Sequence, residues 1–205
     1  MVDMVTLVAF TGAVLLLLLS PGPNMVFVLS HGAAYGIRGG MAAACGIAVA
    51  DMVMTALVAT GLGLVVRQWP QLLLVVRYAG AAYLLWMAAA VMHTRRKTLA
   101  NAAVMARPRQ VFVRAMANGL LNPKALIFFL TFLPAFVNPA HQNVAMQLWA
   151  LGLWLTAVAL LFHATLGFIG AHLRRAAAQA SVGHAALQWL HAAVLAGLAA
   201  WVIFS

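Results

Sequence analysis

The chain has 205 residues, of which 66% are apolar and 7% are charged, with 12 Lys and Arg against 2 Asp and Glu. Soluble globular domains average about 45–50% apolar and about 25% charged residues, so an ordinary water-soluble fold is excluded. The strong hydrophobicity also excludes a disordered chain, and a single cysteine, Cys45, excludes a disulfide scaffold. The composition predicts an integral membrane protein.

The basic excess, a net charge of +10, would suggest a nucleic-acid partner if it lay on one face of a soluble domain. Here the cations lie between long apolar runs, so we interpret them as charges that orient the chain in a membrane. The N-terminus lacks the positively charged region of a cleaved signal peptide, so we expect the first apolar run to remain in the mature protein.

Six apolar windows are long enough to cross a membrane, which takes about 20 residues of helix. They cover residues 4–30, 39–66, 71–92, 111–137, 144–171 and 185–204. We therefore predict an all-α integral membrane protein with six transmembrane helices. The polar stretch 93–110 divides it into residues 1–98 and 99–205, each with three spans. Because three is odd, similar halves would be inserted with opposite orientations, as in secondary transporters with inverted repeats.

The distribution of Lys and Arg among the short loops predicts the orientation, because cytoplasmic loops carry the excess. Nine of the 12 cations fall in the first, third and fifth loops or beside them: Arg38, Arg95, Arg96, Lys97, Arg107, Arg109, Arg114, Arg174 and Arg175. Arg67 and Arg77 lie on the other side, and Lys124 lies inside a span. We predict that these three loops are cytoplasmic and that both termini are outside.

Prolines interrupt the first and fourth windows at corresponding places. The interruptions are Ser20-Pro21-Gly22-Pro23-Asn24 and Asn122-Pro123-Lys124. Each begins with a capping residue followed by proline, an order that predicts the start of a helix. In each half, the interrupted span would expose a helix N-terminus that attracts a carboxylate. Paired breaks of this kind indicate a transporter's binding site, and we predict these eight residues as substrate-binding.

The same prolines should also release backbone acceptors, because proline has no N–H and clashes with the carbonyl group four residues earlier. We expect the carbonyl oxygens of Leu17, Leu19 and Gly119 to lose their helical partners. Unpaired backbone at membrane depth is tolerated where it is packed in protein or lines a wet cavity. A simple kink in each helix is the alternative interpretation.

Two charges fall near the centres of their windows, Asp51 in the second and Lys124 in the fourth. A charge at the bilayer centre costs about 2.5–3.5 kcal/mol, so both should face the bundle interior. They could form a structural ion pair, or they could share a cavity with the transported molecule. Besides Asp3, Asp51 is the only carboxylate of the chain, and we predict that it couples transport to protons. Tyr83 and His163 are weaker candidates for lining the cavity, and helix packing would explain them equally well.

Four segments together resemble the LysE/RhtB family of bacterial amino-acid exporters. They are Ser20-Pro21-Gly22-Pro23-Asn24, Gly80-Ala81-Ala82-Tyr83-Leu84-Leu85-Trp86, Asn122-Pro123-Lys124 with Phe128-Phe129, and Leu133-Pro134-Ala135-Phe136. The resemblance implies a multi-pass protein of the bacterial inner membrane. It further implies export of amino acids such as threonine, homoserine or leucine, driven by the proton gradient as an antiporter.

The scarcity of acids favours a neutral amino acid as the cargo, because a cationic side chain would have no carboxylate to meet in the second half of the chain. A channel or a structural membrane subunit is the alternative, and a homo-oligomer is compatible with the sequence. An intramembrane hydrolase built from Ser20 or Ser30, Asp51, and His31 or His163 is less favoured, since no nucleophile-elbow sequence is present. Seven scattered His and one Cys have no metal-ligand spacing, so we expect no catalytic residue, metal or cofactor.

Overall fold

The computed structural model describes residues 2–61, 107–138 and 143–179, together with individual positions between 71 and 89 and between 189 and 200. These residues are helical apart from short connections, and no strand occurs among them. The helices are α1 (Met4–Leu19), α2 (Pro23–Ala59), α3 (Pro108–Leu120), α4 (Pro123–Ile127), a π-helical turn (Phe128–Phe132), α5 (Leu133–Ala135) and α6 (Val144–Gln179). The predicted spans 71–92 and 185–204 lie largely outside the described residues.

The described helices have the length and surface of a membrane protein. By length and composition, α2 and α6 can each cross a bilayer, and α3 with its continuation through α5 would form a third crossing with a bend of 52°. Many large apolar side chains are exposed on the helices, including Val5 (81%), Leu16 (72%) and Leu161 (71%). Such an apolar surface suits contact with lipid rather than with water. The chain is a helical, multi-pass membrane protein.

The first proline break separates α1 from α2, but α2 starts later than the sequence predicts. Gly22 is the N-cap and Pro23 is the first helical residue, whereas Ser20 follows the last residue of α1 in an extended conformation. The expectation that Ser20 and Pro21 begin the helix is therefore wrong. A residue before proline avoids the helical region, and Gly22 precedes Pro23, so the helix begins at the second proline.

A sharp turn at Gly36 divides α2 into two arms. Gly36 has φ 71° and ψ −164°, a combination that favours glycine. A Cβ atom placed on Gly39 would lie 2.6 Å from the carbonyl oxygen of His31. In a straight helix, eight residues would separate these positions by about 12 Å. The helix therefore folds back at Gly36, and the helical structure of the first predicted span continues past residue 30 to this turn.

The second proline break is closed partly by local hydrogen bonds. Asn122 is the N-cap of α4, and its Oδ1 accepts from the backbone N–H of Lys124 at 3.1 Å. The carbonyl oxygen of Gly119 accepts from the backbone N–H of Asn122 at 3.2 Å. The expectation that Gly119 loses its partner is therefore wrong, because the last turn of α3 tightens and supplies a nearer donor.

The second arm of α2 packs against α6 in an antiparallel arrangement. Gly40 contacts Gly167, and a Cβ atom on Gly40 would lie 2.6 Å from Gly167 Cα. At the other end, Gly152 contacts the side chain of Thr55. Gly40 and Thr55 are 15 residues apart, as are Gly152 and Gly167, so the two helices stay in register over this length. Small residues permit this close approach of helices inside a membrane.

Two apolar clusters lie on either side of a polar layer. The first cluster contains Phe10, Val14, Met54, Val58, Phe128, Phe129, Leu130, Leu133, Leu148, Leu151, Leu155 and Ala159. The second contains Phe27, Val28, Ala43, Ile47, Ala81, Ala88, Val111, Ala115 and Leu166. Along α2, Asp51 lies between Ile47 of the second cluster and Met54 of the first. Each proline break, 20–24 and 122–124, likewise lies in sequence between residues of one cluster and residues of the other. The polar groups therefore share one level of the bundle.

Candidate functional site

A cavity of about 50 Å³ lies at this polar level, with room for water. Its lining comes from α1, α2, α4, the π-helical turn, α6 and both breaks: Val14, Leu17, Leu18, Ser20, Gly22, Asn24, Met25, Asp51, Asn122, Lys124, Ala125, Phe129, Leu155, Ala159 and His163. The two proline breaks, which lie about 100 residues apart in sequence, therefore meet at one site.

Lys124 connects the two breaks directly. Its Nζ donates hydrogen bonds to the carbonyl oxygens of Leu17, at 2.7 Å, and Ser20, at 2.5 Å. These acceptors lie at the C-terminal end of α1, where unpaired carbonyl groups carry partial negative charge. The cation of the second break thus pairs with the backbone released by the first.

Asp51 and Lys124 share the cavity without a direct bond. Among the described residues, both hydrogen bonds of Lys124 Nζ go to carbonyl oxygens and neither goes to Asp51. Both side chains nevertheless line the cavity. Of the two arrangements that the sequence leaves open, the structure has the shared cavity rather than the ion pair.

The N-terminus of α2 presents backbone donors to the cavity. Gly22 provides no side-chain cap, and Pro23 has no N–H, so the first donors of α2 belong to Asn24 and Met25. Both of these residues line the cavity. A Cβ atom on Gly22 would lie 3.6 Å from Lys124 Nζ, so the ammonium group is adjacent. A helix N-terminus beside a cation is a favourable place for a carboxylate.

A second polar contact joins the breaks through Asn118, which is not among the predicted binding residues. Asn118 is 2% exposed, and its Nδ2 donates to Asn24 Oδ1 at 2.8 Å. The contact holds the start of α2 against the end of α3. Asn118 precedes Asn122 by one helical turn inside an apolar window, but this spacing alone does not distinguish it from a packing residue.

The two long helices, α2 and α6, each place one ionisable side chain at the polar level. Asp51 on α2 is 5% exposed and His163 on α6 is 3% exposed. Within the described part of the chain, Nδ1 of His163 is buried without a hydrogen-bond partner, and Asp51 lines the same cavity. Buried polar groups are usually paired, so His163 and the neighbouring Asp51 are candidates for binding a transported species.

The predicted binding residues divide into two groups in the structure. Five of them line the cavity: Ser20, Gly22, Asn24, Asn122 and Lys124. Among the described lining residues there is none of the prolines 21, 23 and 123, which instead set where the helices end and begin. His163 lines the cavity, and Tyr83 lies outside the described residues.

Gly22 offers a graded test of the site. Its extended backbone accepts any residue, and a Cβ atom would lie 3.4 Å from Lys124 Cδ, an ordinary contact, so we expect Gly22→Ala to transport nearly normally. Gly22→Val would crowd Lys124, and overpacking of about 1.4 kcal/mol predicts at least about tenfold slower transport. Initial rates in proteoliposomes measure this. Gly12→Val is the matched control, because Gly12 has open space around it, and an equal loss in both valine variants would contradict the prediction.

Comparison with known proteins confirms the family resemblance. A model of the family described as LysE type translocator matches residues 15–205. An uncharacterized membrane protein of Pseudomonas aeruginosa is 34% identical over 187 residues, which cover 85% of this chain and 87% of that protein. A leucine efflux protein of Enterobacter sp. is 31% identical over 161 residues, covering 78% of this chain and 76% of the relative.

The leucine efflux protein of Salmonella typhimurium is also 31% identical, over 162 residues that cover 78% of this chain and 76% of that protein. No solved structure matches the chain. The family match extends over nearly the whole sequence and includes both breaks, Asp51 and His163. The chain therefore belongs to the LysE type translocator family, and it is a transport protein rather than an enzyme.

Proposed function

We propose that this protein exports small neutral amino acids across the bacterial inner membrane by alternating access, driven by proton antiport. One observation carries the proposal: both proline breaks, Lys124 and Asp51 line a single cavity. Charges of both signs at one buried site match the two charged groups of an amino acid. The names of the leucine efflux relatives support amino-acid export.

The geometry suggests how the substrate's backbone would bind. Its carboxylate would contact the N–H groups of Asn24 and Met25 together with the Lys124 ammonium group. The carbonyl oxygens of Leu17 and Ser20 could also accept from the substrate's ammonium group, but both already accept hydrogen bonds from Lys124. The ammonium group would therefore pair with Asp51.

The cargo's side chain would face the apolar wall of the cavity. Leu17, Leu18, Phe129 and Leu155 form this wall, which favours an aliphatic side chain. Pairing with the α-ammonium group uses Asp51, the only carboxylate inside the membrane windows. A lysine or arginine substrate would bring a second cation with no partner, at a high desolvation cost.

The proposed architecture has six spans in two inverted repeats, residues 1–98 and 99–205. In the first repeat, α1 and the first arm of α2 would form one interrupted span. In the second, α3 through α5 would form its counterpart. Interrupted helices that meet near the midplane between inverted repeats provide a site to which access can alternate. Asp51 would bind a proton when the substrate leaves on the outside and release it toward the cytoplasm.

Counterflow in proteoliposomes tests the function. The purified protein is reconstituted with an unlabelled amino acid inside and the labelled compound outside, and a panel is screened that includes leucine, threonine, lysine and glutamate. We expect transient accumulation of labelled neutral amino acids and none of lysine or glutamate. Simple equilibration without accumulation would indicate a channel, and no substrate-dependent flux would contradict the proposal.

The proposed orientation, with both termini outside, predicts the behaviour of reporter fusions. A fluorescent protein that folds only in the cytoplasm should stay dark at the C-terminus, because most Lys and Arg lie in the loops on the opposite side. A periplasm-specific phosphatase fused at the same position should be active. The control is the same pair of reporters inserted in the third loop, where the results should be reversed; a bright C-terminal fusion would contradict the orientation.

A further inference from the structure

The register of α2 and α6 defines the relative heights of Asp51 and His163. The contacts Gly40–Gly167 and Thr55–Gly152 place residue 51 level with residue 156, and residue 163 level with residue 44. The two Cα positions therefore differ in height by seven residues, about 10 Å along the helices. His163 is the nearer of the two to the turn at Gly36.

The two side chains lean toward each other across this height difference. Helical side chains tilt toward the N-terminus of their own helix, and these helices are antiparallel. Asp51 therefore leans toward the level of residues 47 and 48, and His163 leans toward residues 159 and 160, which are at that same level. Ala159 lies at this level, and Asp51, Ala159 and His163 all line the same cavity, so the cavity reaches both the carboxylate and the imidazole.

The hydrogen bonding of His163 distinguishes it from a residue that only packs helices together. A histidine that only joins helices would bond to a neighbouring helix, whereas Nδ1 of His163 is buried and makes no hydrogen bond to another helix among the described residues. The other charged group on the cavity, Lys124, is held by two carbonyl oxygens. His31, also on α2, stacks on Phe27 with ring centroids 3.9 Å apart and does not line the cavity.

We propose that His163 is the proton-exchange partner of Asp51 and passes the proton from Asp51 toward the cytoplasm. The proton leaves the protonated Asp51 carboxyl group, crosses the cavity through water, and binds a ring nitrogen of His163. The carboxyl group becomes a carboxylate and the imidazole becomes an imidazolium, so the total charge is unchanged. Release of the proton on the Gly36 side then restores neutral His163. This inference rests on the proposed proton-coupled export.

The test compares His163→Gln with His31→Gln in proteoliposomes, using labelled leucine. Glutamine keeps a hydrogen-bonding side chain of similar reach but cannot carry a proton. For His163→Gln we expect counterflow at equal pH to persist, while accumulation driven by a pH gradient falls by at least about tenfold, since positioned proton carriers contribute effects of this size or more. The dependence of the counterflow rate on pH should also flatten. His31→Gln should match the wild type in all three measurements.

Several outcomes would overturn the inference. Normal gradient-driven accumulation by His163→Gln with an unchanged pH profile would remove His163 from the proton path. Equal loss of counterflow and driven transport in a variant that purifies normally would make His163 a substrate contact or a structural residue. If His163→Gln does not fold, His163→Asn replaces it, because this smaller neutral amide also cannot carry a proton and should produce the same selective loss. A wild type that performs counterflow but ignores the pH gradient would instead refute the proton coupling of the proposed function.

Discussion

Replacing Lys124 by methionine is expected to reduce export roughly 100-fold at any pH gradient. The substitution keeps the length of the side chain but removes two hydrogen bonds from a charged donor to the carbonyl oxygens of Leu17 and Ser20. At about 1.5 kcal/mol for each bond, the loss corresponds to roughly 100-fold in rate or affinity. It also removes the cation beside the proposed carboxylate site. Counterflow of labelled leucine in proteoliposomes measures the effect.

The matched control for this variant is Arg109→Met, which removes a cation from an exposed position on α3. One cation among many on the same side should not change the orientation, so this variant should transport normally. Lys124→Arg keeps the charge and should retain part of the activity. Lys124→Met with wild-type counterflow would show that Lys124 is not part of the transport site.

Replacing Asp51 by asparagine is expected to uncouple transport from the pH gradient. A gradient of one pH unit provides about 1.4 kcal/mol for each proton, enough for about tenfold accumulation of an amino acid exchanged one for one. Asparagine has the same size but cannot bind and release a proton, so the accumulation ratio should fall to about one. The measurement is the steady-state ratio of labelled leucine across the vesicle membrane.

The second carboxylate of the chain provides the control. Asp3 caps α1, and its Oδ1 accepts from the backbone N–H of Thr6 at 2.7 Å. Asparagine also caps helices well, so Asp3→Asn should keep both structure and coupling. Full gradient-driven accumulation by Asp51→Asn would remove Asp51 from the proton path, whatever its effect on the rate.

The positions of both interruptions could be predicted from the sequence because proline and capping residues act locally. The pairs that form across the breaks could not, since they depend on tertiary structure. Lys124 is an example: its sequence position predicts a buried cation near the break, but not that its ammonium group would reach the carbonyl oxygens of α1. For this reason we propose Asp51, and not the carbonyl groups that Lys124 contacts, as the partner of the substrate's ammonium group.

Two further differences between the prediction and the structure have different origins, one local and one tertiary. The start of α2 is displaced from Pro21 to Pro23 because two prolines compete and the residue before each one avoids the helical conformation. Asn118 is missed because a single amide in an apolar window has no distinctive pattern until Asn24 is found opposite it. Sequence periodicity also does not give the register of α2 and α6, which depends on close contacts between glycines and Thr55. The proposed pairing of Asp51 with His163 needs that register.

Substrate protection of a single cysteine tests most directly whether the meeting of the two breaks is the transport site. Cys45 is the only cysteine of the chain and is exposed, so Cys45→Ala provides a background for Ser20→Cys, which places a thiol on the cavity. We predict that a membrane-impermeant thiol reagent labels this cysteine from either side of the membrane, and that leucine, but not lysine or glutamate, slows the labelling. Labelling from both sides at a rate that no amino acid changes would contradict the account.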